Sequence, residues 1–405
     1  MLRHSLLIRR RSALLGLAAS WALGRSSLAL AGTPDGDDDP RLVVVILRGA
    51  LDGMAAVTPY GDPSLTALRR DLLPPEPGRD GGLLDLGGFF GLHPSLSGMQ
   101  RLYAAGQMLP FHAVAGHYRS RSHFEAQDYM ESGADQRLSS GWLNRAVSAL
   151  PKNRHGAEGA GLSLGLSVPL LLRGPTTVAS YAPEGGRRPD ADLYTQIAAL
   201  NAKDPVTGPA FRNGLTALGF SAKVLAGDAP PPAPGGQKPG AFAILADAAG
   251  RMLADQRGPR VAALEMGGWD THAAQKGRLA GPMRQLDMGM DAMRLALGRT
   301  WDRTVVLVMT EFGRTVRMNG TGGTDHGTAT AAFLLGGAVA GGRVAGTWPG
   351  LQAAQLFENR DLAPTSDLRA VASGVLRDHL RLSPSALTNV FPGPAVAPEN
   401  GLVKV

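Results

Sequence analysis

Cysteine is absent from all 405 residues. Its absence excludes disulfides, thiolate nucleophiles and cysteine-ligated zinc or iron–sulfur sites. Any metal must then be held by carboxylates, imidazoles, hydroxyls or carbonyl oxygens. A membrane-spanning apolar run is missing near the start: the stretch from Ala13 to Leu23 is too short and too interrupted to cross a bilayer. The mature chain is therefore expected to carry no integral membrane span. A strong charge of one sign is missing too. The formal net charge is +7, but Arg3, Arg9, Arg10, Arg11 and Arg25 fall in the first 31 residues, which hold no acid. Beyond them 36 basic residues face 34 acidic ones. A near-neutral body lacks the clustered basic surface that nucleic acid requires, so no nucleic-acid partner is expected. The 54 glycines are scattered, which excludes a collagen-like chain.

What is present begins with a leader. Residues 1–31 combine a basic start, the short apolar stretch, and small residues at Ala29 and Ala31, the layout of an export signal. Arg10–Arg11, followed by Ser12, Ala13, Leu14 and Leu15, resembles a twin-arginine signal, with Ala13 where Phe is usual. The expected partner is the twin-arginine translocation machinery, and the expected location is the periplasm or beyond. Residues 32–41, with "DGDDDP", read as an acidic tether. Residues 42–395 read as one α/β domain interrupted by a Pro/Gly-rich excursion at 224–240.

Within that domain strand and helix signals alternate. Leu42 to Leu47, "LPFHAVAG", "VPLLLRG", "VAALEMGG", "TVVLVMT" and "AAFLLGG" read as strands. Helix patterns fall at "HPSLSGMQRLYAAGQM" with Pro94 in the first turn, at "SHFEAQDYMESG", at 190–200, at "FAILADAAGRMLAD", at "PMRQLDMGMDAMRLAL" and at "SDLRAVASGVLRDHL". In the second of these Ser122 stands as cap, Glu125 completes a capping box and Gly133 stops the helix. The alternation predicts a mostly parallel central sheet flanked by helices. Such sheets place their chemistry at the carboxyl ends of the strands.

Polar residues gather where that rule puts them. Asp52 follows the first strand. Ser120, Ser122 and His123 follow "LPFHAVAG". Asp270 and His272, in "GGWDTH", follow "VAALEMGG". Glu311 follows "TVVLVMT" with Arg314 close enough to pair with it, and Asp325–His326 sit in "GGTDHGTA", where glycines on both sides permit a tight loop. Carboxylates and imidazoles without thiolate suit zinc, manganese, calcium or magnesium. A serine at a helix start has backbone N–H groups beside it that suit a phosphate or sulfate. Against one or two divalent cations, that hydroxyl or an activated water can attack an ester. Arg48, Arg121 and Arg314 are candidates for a positive pocket around an anionic small-molecule substrate. Each residue also has a plain structural alternative: Asp52 fixing a turn, Ser122 capping its helix, Asp270 leading another cap. His112 lies within a strand pattern and is expected to pack, His379 is expected at the surface, and Asp367 is expected to cap the last helix.

The stretches "VVVILRGALDGMAAVTPYGDP", "LHPSLSGMQRLYAAGQMLPFHAVAG", "RSHFEAQDYMESG", "GGWDTH", "TEFGRT", "GGTDHGTA" and "SDLRAVASGVLRDHL" resemble the DUF1501 family over nearly all of the mature chain. That family consists of exported proteins similar to the alkaline phosphatase and sulfatase superfamily. The resemblance implies an alkaline phosphatase-like fold. It implies a first metal-ligating acid, matched by Asp52, and a nucleophile at a helix start, matched by Ser122. It also implies a late Asp–His pair of metal ligands, matched by Asp325 and His326. Asp270 and His272 stand where a second-metal pair is expected; His123, from its own position beside Ser122 and not from the resemblance, is read as a donor to a substrate oxygen. The chain departs from the pattern in several places: Ala50 stands where the family commonly has Gly, His123 stands directly beside Ser122, and the only later histidine is His379. The implied function is a metal-dependent hydrolase of phosphate or sulfate esters. The competing reading is a non-catalytic binding or assembly protein of the cell envelope, in which Ser122 merely caps its helix and no solvent-open metal position exists.

Overall fold

The computed structural model describes residues 39–151, 160–182, 199–201, 204, 224–225 and 240–404. The leader, most of the tether, the helix expected at 190–200 and nearly all of the 224–240 excursion lie outside these residues. The last tether residues are not free. Asp39 is buried, and Arg260 and Arg41 both reach its carboxylate beneath the sheet.

Eight strands form the main sheet: β1 (Arg41–Leu47), β2 (Met108–Ala115), β3 (Gly161–Leu164), β4 (Ala179–Tyr181), β5 (Val261–Met266), β6 (Thr304–Met309), β7 (Thr330–Leu335) and β8 (Ser366–Asp367). Their spatial order is β8-β2-β7-β6-β1-β5-β3-β4. β1 is central, parallel to β5 on one side and to β6 on the other. Its run of branched residues alternates between the two faces: Val43, Val45 and Leu47 enter one hydrophobic core, Leu42, Val44 and Ile46 the other. A strand buried on both faces needs such a continuous apolar sequence.

Among the described strands of this main sheet, only β7 runs against its neighbours, antiparallel to both β2 and β6. That reversal matters for the site. Parallel β1, β2, β5 and β6 deliver the residues after their carboxyl ends to one rim, whereas β7 delivers the residues before its start to that same rim. The chain just before Thr330, which holds Asp325 and His326, thus meets the loops that follow the other strands.

Helices cover both faces. α1 (Ser97–Ala104), α4 (Ala241–Ala254) and α5 (Gln275–Leu297) lie over one core; α3 (Trp142–Ala149), α6 (Leu368–Asp378) and α7 (Pro384–Val390) lie over the other. α2 (His123–Ser132) starts at the rim and stops at Gly133, which is left-handed at φ 65°. The sequence expectations need four corrections here. "VPLLLRG" forms a 3₁₀ turn at Leu170–Leu172 rather than a strand. α1 begins three residues after Pro94, and α5 begins at Gln275 with Pro282 inside it. His379 is buried, its Nε2 2.8 Å from the Arg41 carbonyl. Asp367 does cap α6, accepting from the Arg369 N–H.

His112 is packed, as its strand pattern implies, and it makes the fold acid-sensitive. Its Nε2–H donates to the Val57 carbonyl at 2.9 Å and its Nδ1 accepts from the Ala113 N–H at 2.8 Å. Protonation would set a second N–H against that backbone donor. Burial pushes the ring's pKa down to about 4, with Arg69 adding to the effect against the opposing pull of the Val57 carbonyl and Asp52. An unfolded histidine titrates near 6.5, so between those values the unfolded chain binds more protons. Stability from this residue is therefore intact above about pH 6.5 and falls as pH drops toward 4, by roughly 3 kcal/mol in all. Urea unfolding of wild type and His112→Gln across that window should diverge by about this amount; parallel curves would refute the assignment.

Candidate metal centre

The rim is assembled by backbone contacts before any side chain converges. Gly323 packs so tightly on the loop after β5 that a Cβ there would lie 2.3 Å from the His272 carbonyl oxygen. At Gly327 a Cβ would lie 2.4 Å from the Arg314 backbone. The glycines of "GGTDHGTA" therefore let the loop before β7 lie between the loops after β5 and β6. The Thr315 N–H to Asp325 carbonyl bond (2.9 Å) fixes the register.

Three imidazoles and one carboxylate meet there. His326 Nε2 lies 3.0 Å from His123 Nε2, 2.9 Å from His272 Nε2 and 3.3 Å from Asp270 Oδ1. His123 Nε2 is 3.6 Å from Asp270 Oδ2, and His272 Nε2 is 3.0 Å from Asp270 Oδ1. His123, Asp270 and His326 each offer a ligand atom, all within 4.8 Å of one another. This cluster has the composition of a divalent-cation site, with His272 flanking it through His326 and Asp270. Asp270, at 45% side-chain exposure, opens the cluster to solvent.

The outward nitrogens are all engaged. His123 Nδ1 faces Glu311 Oε1 at 2.8 Å, His272 Nδ1 faces Asp325 Oδ1 at 3.2 Å, and His326 Nδ1 faces the Arg121 carbonyl at 2.9 Å. A carbonyl oxygen only accepts, so His326 Nδ1 carries a proton, and in the neutral ring its Nε2 presents a lone pair inward. Three such nitrogens cannot share this space without positive charge among them, either as imidazolium protons or as one divalent cation. A tetrahedral zinc shell sets donors about 3.4 Å apart, given metal–ligand bonds near 2.1 Å. The separations here bracket that figure, and outward partners of this kind support metal-bound histidines. The residues fit a cation.

Electrostatics follow the same arrangement. The Glu311 hydrogen bond raises the His123 pKa against the effect of burial, with the Glu311 and Asp270 charges adding to it. Burial lowers that of His326. For Asp270, burial pushes upward, but the Arg314 hydrogen bond and charge prevail and hold the carboxyl below its usual range. The Asn319 amide does the same for Asp325.

Asp52 was expected among the ligands, and the structure places it elsewhere. It is buried in a bidentate pair with Arg69, at 3.0 and 2.9 Å, takes 2.6 Å from Gln275 Nε2, and caps the turn Gly53–Ala56 through Ala55 N–H. Asp325 supports His272 and does not belong to the three-residue cluster. His123, expected as a proton donor, is in it. Ser122 sits where a cap would, but its side chain makes no capping bond, and Glu125 bonds Tyr118 instead. The hydroxyl lies one residue from both His123 and the carbonyl that orients His326. The positive pocket is not free either: Arg48 pairs with Glu131 and Glu265, Arg121 with Asp361 and Glu358, and Arg314 with Asp270.

Glu311 pairs not with Arg314 but with His123, and also accepts from Gln127 Nε2, the Gly49 N–H and the Thr310 hydroxyl. Gln127 lies four residues after His123, on the same helix face. That spacing was the available signal for a shared acceptor.

The DUF1501 family model, described as a protein of unknown function, matches residues 104–391. The chain belongs to the DUF1501 family. The DUF1501 match contains every residue of the cluster and leaves out β1 and Asp52. No curated protein matches the chain. Among solved structures, the chain is similar to Ps i-CgsB in complex with k-i-k-neocarrahexaose at 10% identity, covering 85% of this chain and 72% of that one, with TM-score 0.34. It is similar to the C-terminal periplasmic domain of EcEptC from Escherichia coli, complexed with Zn, at 10% identity, covering 76% of each chain, with TM-score 0.30. It is also similar to alkaline phosphatase from the Antarctic bacterium TAB5 at 11% identity, covering 74% and 92%, with TM-score 0.30. At this level of similarity they assign nothing to the site.

Proposed function

We propose that this DUF1501 protein is an exported, metal-dependent hydrolase of phosphate or sulfate esters. The observation that carries the reading is the convergence of the His123, His326 and Asp270 donor atoms at a solvent-open rim, with every outward imidazole nitrogen engaged. His123, His326 and Asp270 would hold the cation, His272 completing or flanking the shell. Zinc suits this imidazole-rich set best. When bound, the cation supplies positive charge to the ester and to the attacking oxygen.

The chain's own residues do the rest. Ser122, its hydroxyl uncommitted to capping, is the attacking group: its oxygen bonds the ester's phosphorus or sulfur as its proton passes to solvent and the protonated alcohol leaves, and water then cleaves the serine ester to release the acid. The N–H groups of the first turn of α2 face the same rim and suit the ester's anionic oxygens. Glu311 keeps His123 oriented and Asp325 keeps His272 oriented. The paired arginines leave the anion to the cation and the helix terminus.

The alternative, a non-catalytic envelope protein, requires a capping Ser122 and a closed metal position; the uncommitted hydroxyl and the exposed Asp270 both weigh against it. The deciding experiment assays zinc-loaded protein on phosphate monoesters, phosphate diesters and sulfate esters. Turnover of at least one class is expected, abolished by chelation and reduced about a hundredfold or more in Ser122→Ala. No turnover of any class by fully loaded protein would favour the alternative.

Export is proposed through the twin-arginine machinery. Among the described residues no helix is long and apolar enough to cross a membrane. Changing Arg10 and Arg11 to Lys should leave the protein in the cytoplasm on fractionation; unchanged export would exclude this route.

A further inference from the structure

We propose that the centre is built for a single divalent cation, and that the Asp52–Arg69 pair is a fixed internal charge positioning its ligand loops. The inference rests on the cation centre proposed above and specifies its stoichiometry. Asp52 is an acid expected as a ligand that stands outside the cluster, so a cation beyond the first would have to recruit it. A carboxylate has about four lone-pair sites, and here four donors occupy them. Oδ1 accepts from Arg69 Nη1 (3.0 Å) and Ala55 N–H (3.1 Å), and Oδ2 from Arg69 Nη2 (2.9 Å) and Gln275 Nε2 (2.6 Å). Arg69 is itself held by the carbonyls of Val316 and Thr315, each at 2.9 Å. Both side chains are 1% exposed. A guanidinium does not deprotonate in proteins, so an entering cation would meet a permanent positive charge with no water between them.

The pair is wired to the centre. Gln275 gives its amide N–H to Asp52, which forces its oxygen toward the Thr271 hydroxyl at 2.9 Å and the Thr324 hydroxyl at 2.6 Å. Thr271 lies between Asp270 and His272; Thr324 immediately precedes Asp325 and His326. Arg314, with no side-chain exposure, closes the circuit by donating to the Thr324 carbonyl at 2.5 Å and to Asp270 at 2.7 Å. One buried amide thus sets the register of both ligand loops, and Arg314 supplies beside Asp270 the fixed charge that a second cation would bring. Among the described residues one group of three metal-capable side chains comes within mutual reach, and Asp52 is not in it.

The test titrates chelator-stripped protein with Zn²⁺ by calorimetry and measures bound zinc after desalting. Wild type should take up one zinc per chain. The double variant Asp52→Asn/Arg69→Gln removes both charges together, and it should also take up one, with Kd raised about ten- to a hundredfold as the relay loosens. Gln275→Met, which leaves the ion pair intact, should weaken binding by a similar factor and guards against misfolding of the double variant. Two zinc ions in wild type would overturn this inference alone. Affinity within twofold of wild type in a folded Gln275→Met would remove the positioning role and overturn it equally. No zinc in wild type would end both this inference and the hydrolase reading.

Discussion

His326→Ala should lose zinc affinity by more than about a hundredfold, and ester hydrolysis with it. His326 Nε2 is the hub of the centre, within 3.3 Å of His123, His272 and Asp270. Removing a residue that merely supports a ligand costs about ten- to a hundredfold in metal affinity, and removing the ligand that touches all the others should cost more. Glu311→Gln gives the graded comparison. Its amide can still accept from His123 Nδ1 but removes the negative charge, so affinity should fall about ten- to a hundredfold. His117→Ala, exposed and outside the cluster, should bind as wild type does. Elemental analysis together with zinc titration reads all three. Wild-type affinity in His326→Ala would end the proposed centre, whatever the folding state of the other variants.

The rim was legible in the sequence because it follows from parallel-sheet geometry: acids and histidines placed after apolar strands converge. The role of each was less so. Asp270 and His326 stood out by their glycine-flanked loops, and the structure brings them together. From sequence alone, His123 reads as a helix-start surface residue or as a donor to the substrate. Its part depends on Glu311, 188 residues away, whose orientation no local pattern encodes. The reversal of β7 was hidden as well, since "AAFLLGG" carries the same apolar signature in either direction. For "VPLLLRG" the error has a similar origin: Leu171 and Leu172 are fully buried, and a short apolar run does not distinguish a strand from a buried turn. The partner of Asp52 was the least legible element. Arg69 lies in the proline-rich stretch after β1, and nothing in the sequence marks it as buried.

That hidden arginine governs the second large effect. Asp52→Ala should destabilise the protein by about 3–5 kcal/mol, because it leaves a guanidinium uncompensated in the interior. Burial alone would raise the Asp52 pKa, yet the charge of Arg69, its two hydrogen bonds and the Gln275 amide outweigh it and hold the carboxyl below its usual range. The native state thus depends on the ionised acid, and Arg69 at 1% exposure has no water to replace it. Asp52→Asn/Arg69→Gln should recover most of the loss, since exchanging both charged partners for neutral ones removes the buried charge instead of stranding it. Urea unfolding at pH 7 of wild type, Asp52→Ala and the closed cycle of Asp52→Asn, Arg69→Gln and their double variant separates two explanations. A structural ion pair predicts a large coupling between the two sites, on the order of 2–3 kcal/mol. A carboxylate kept free for metal predicts little coupling, with Asp52→Ala near wild-type stability in zinc-free protein.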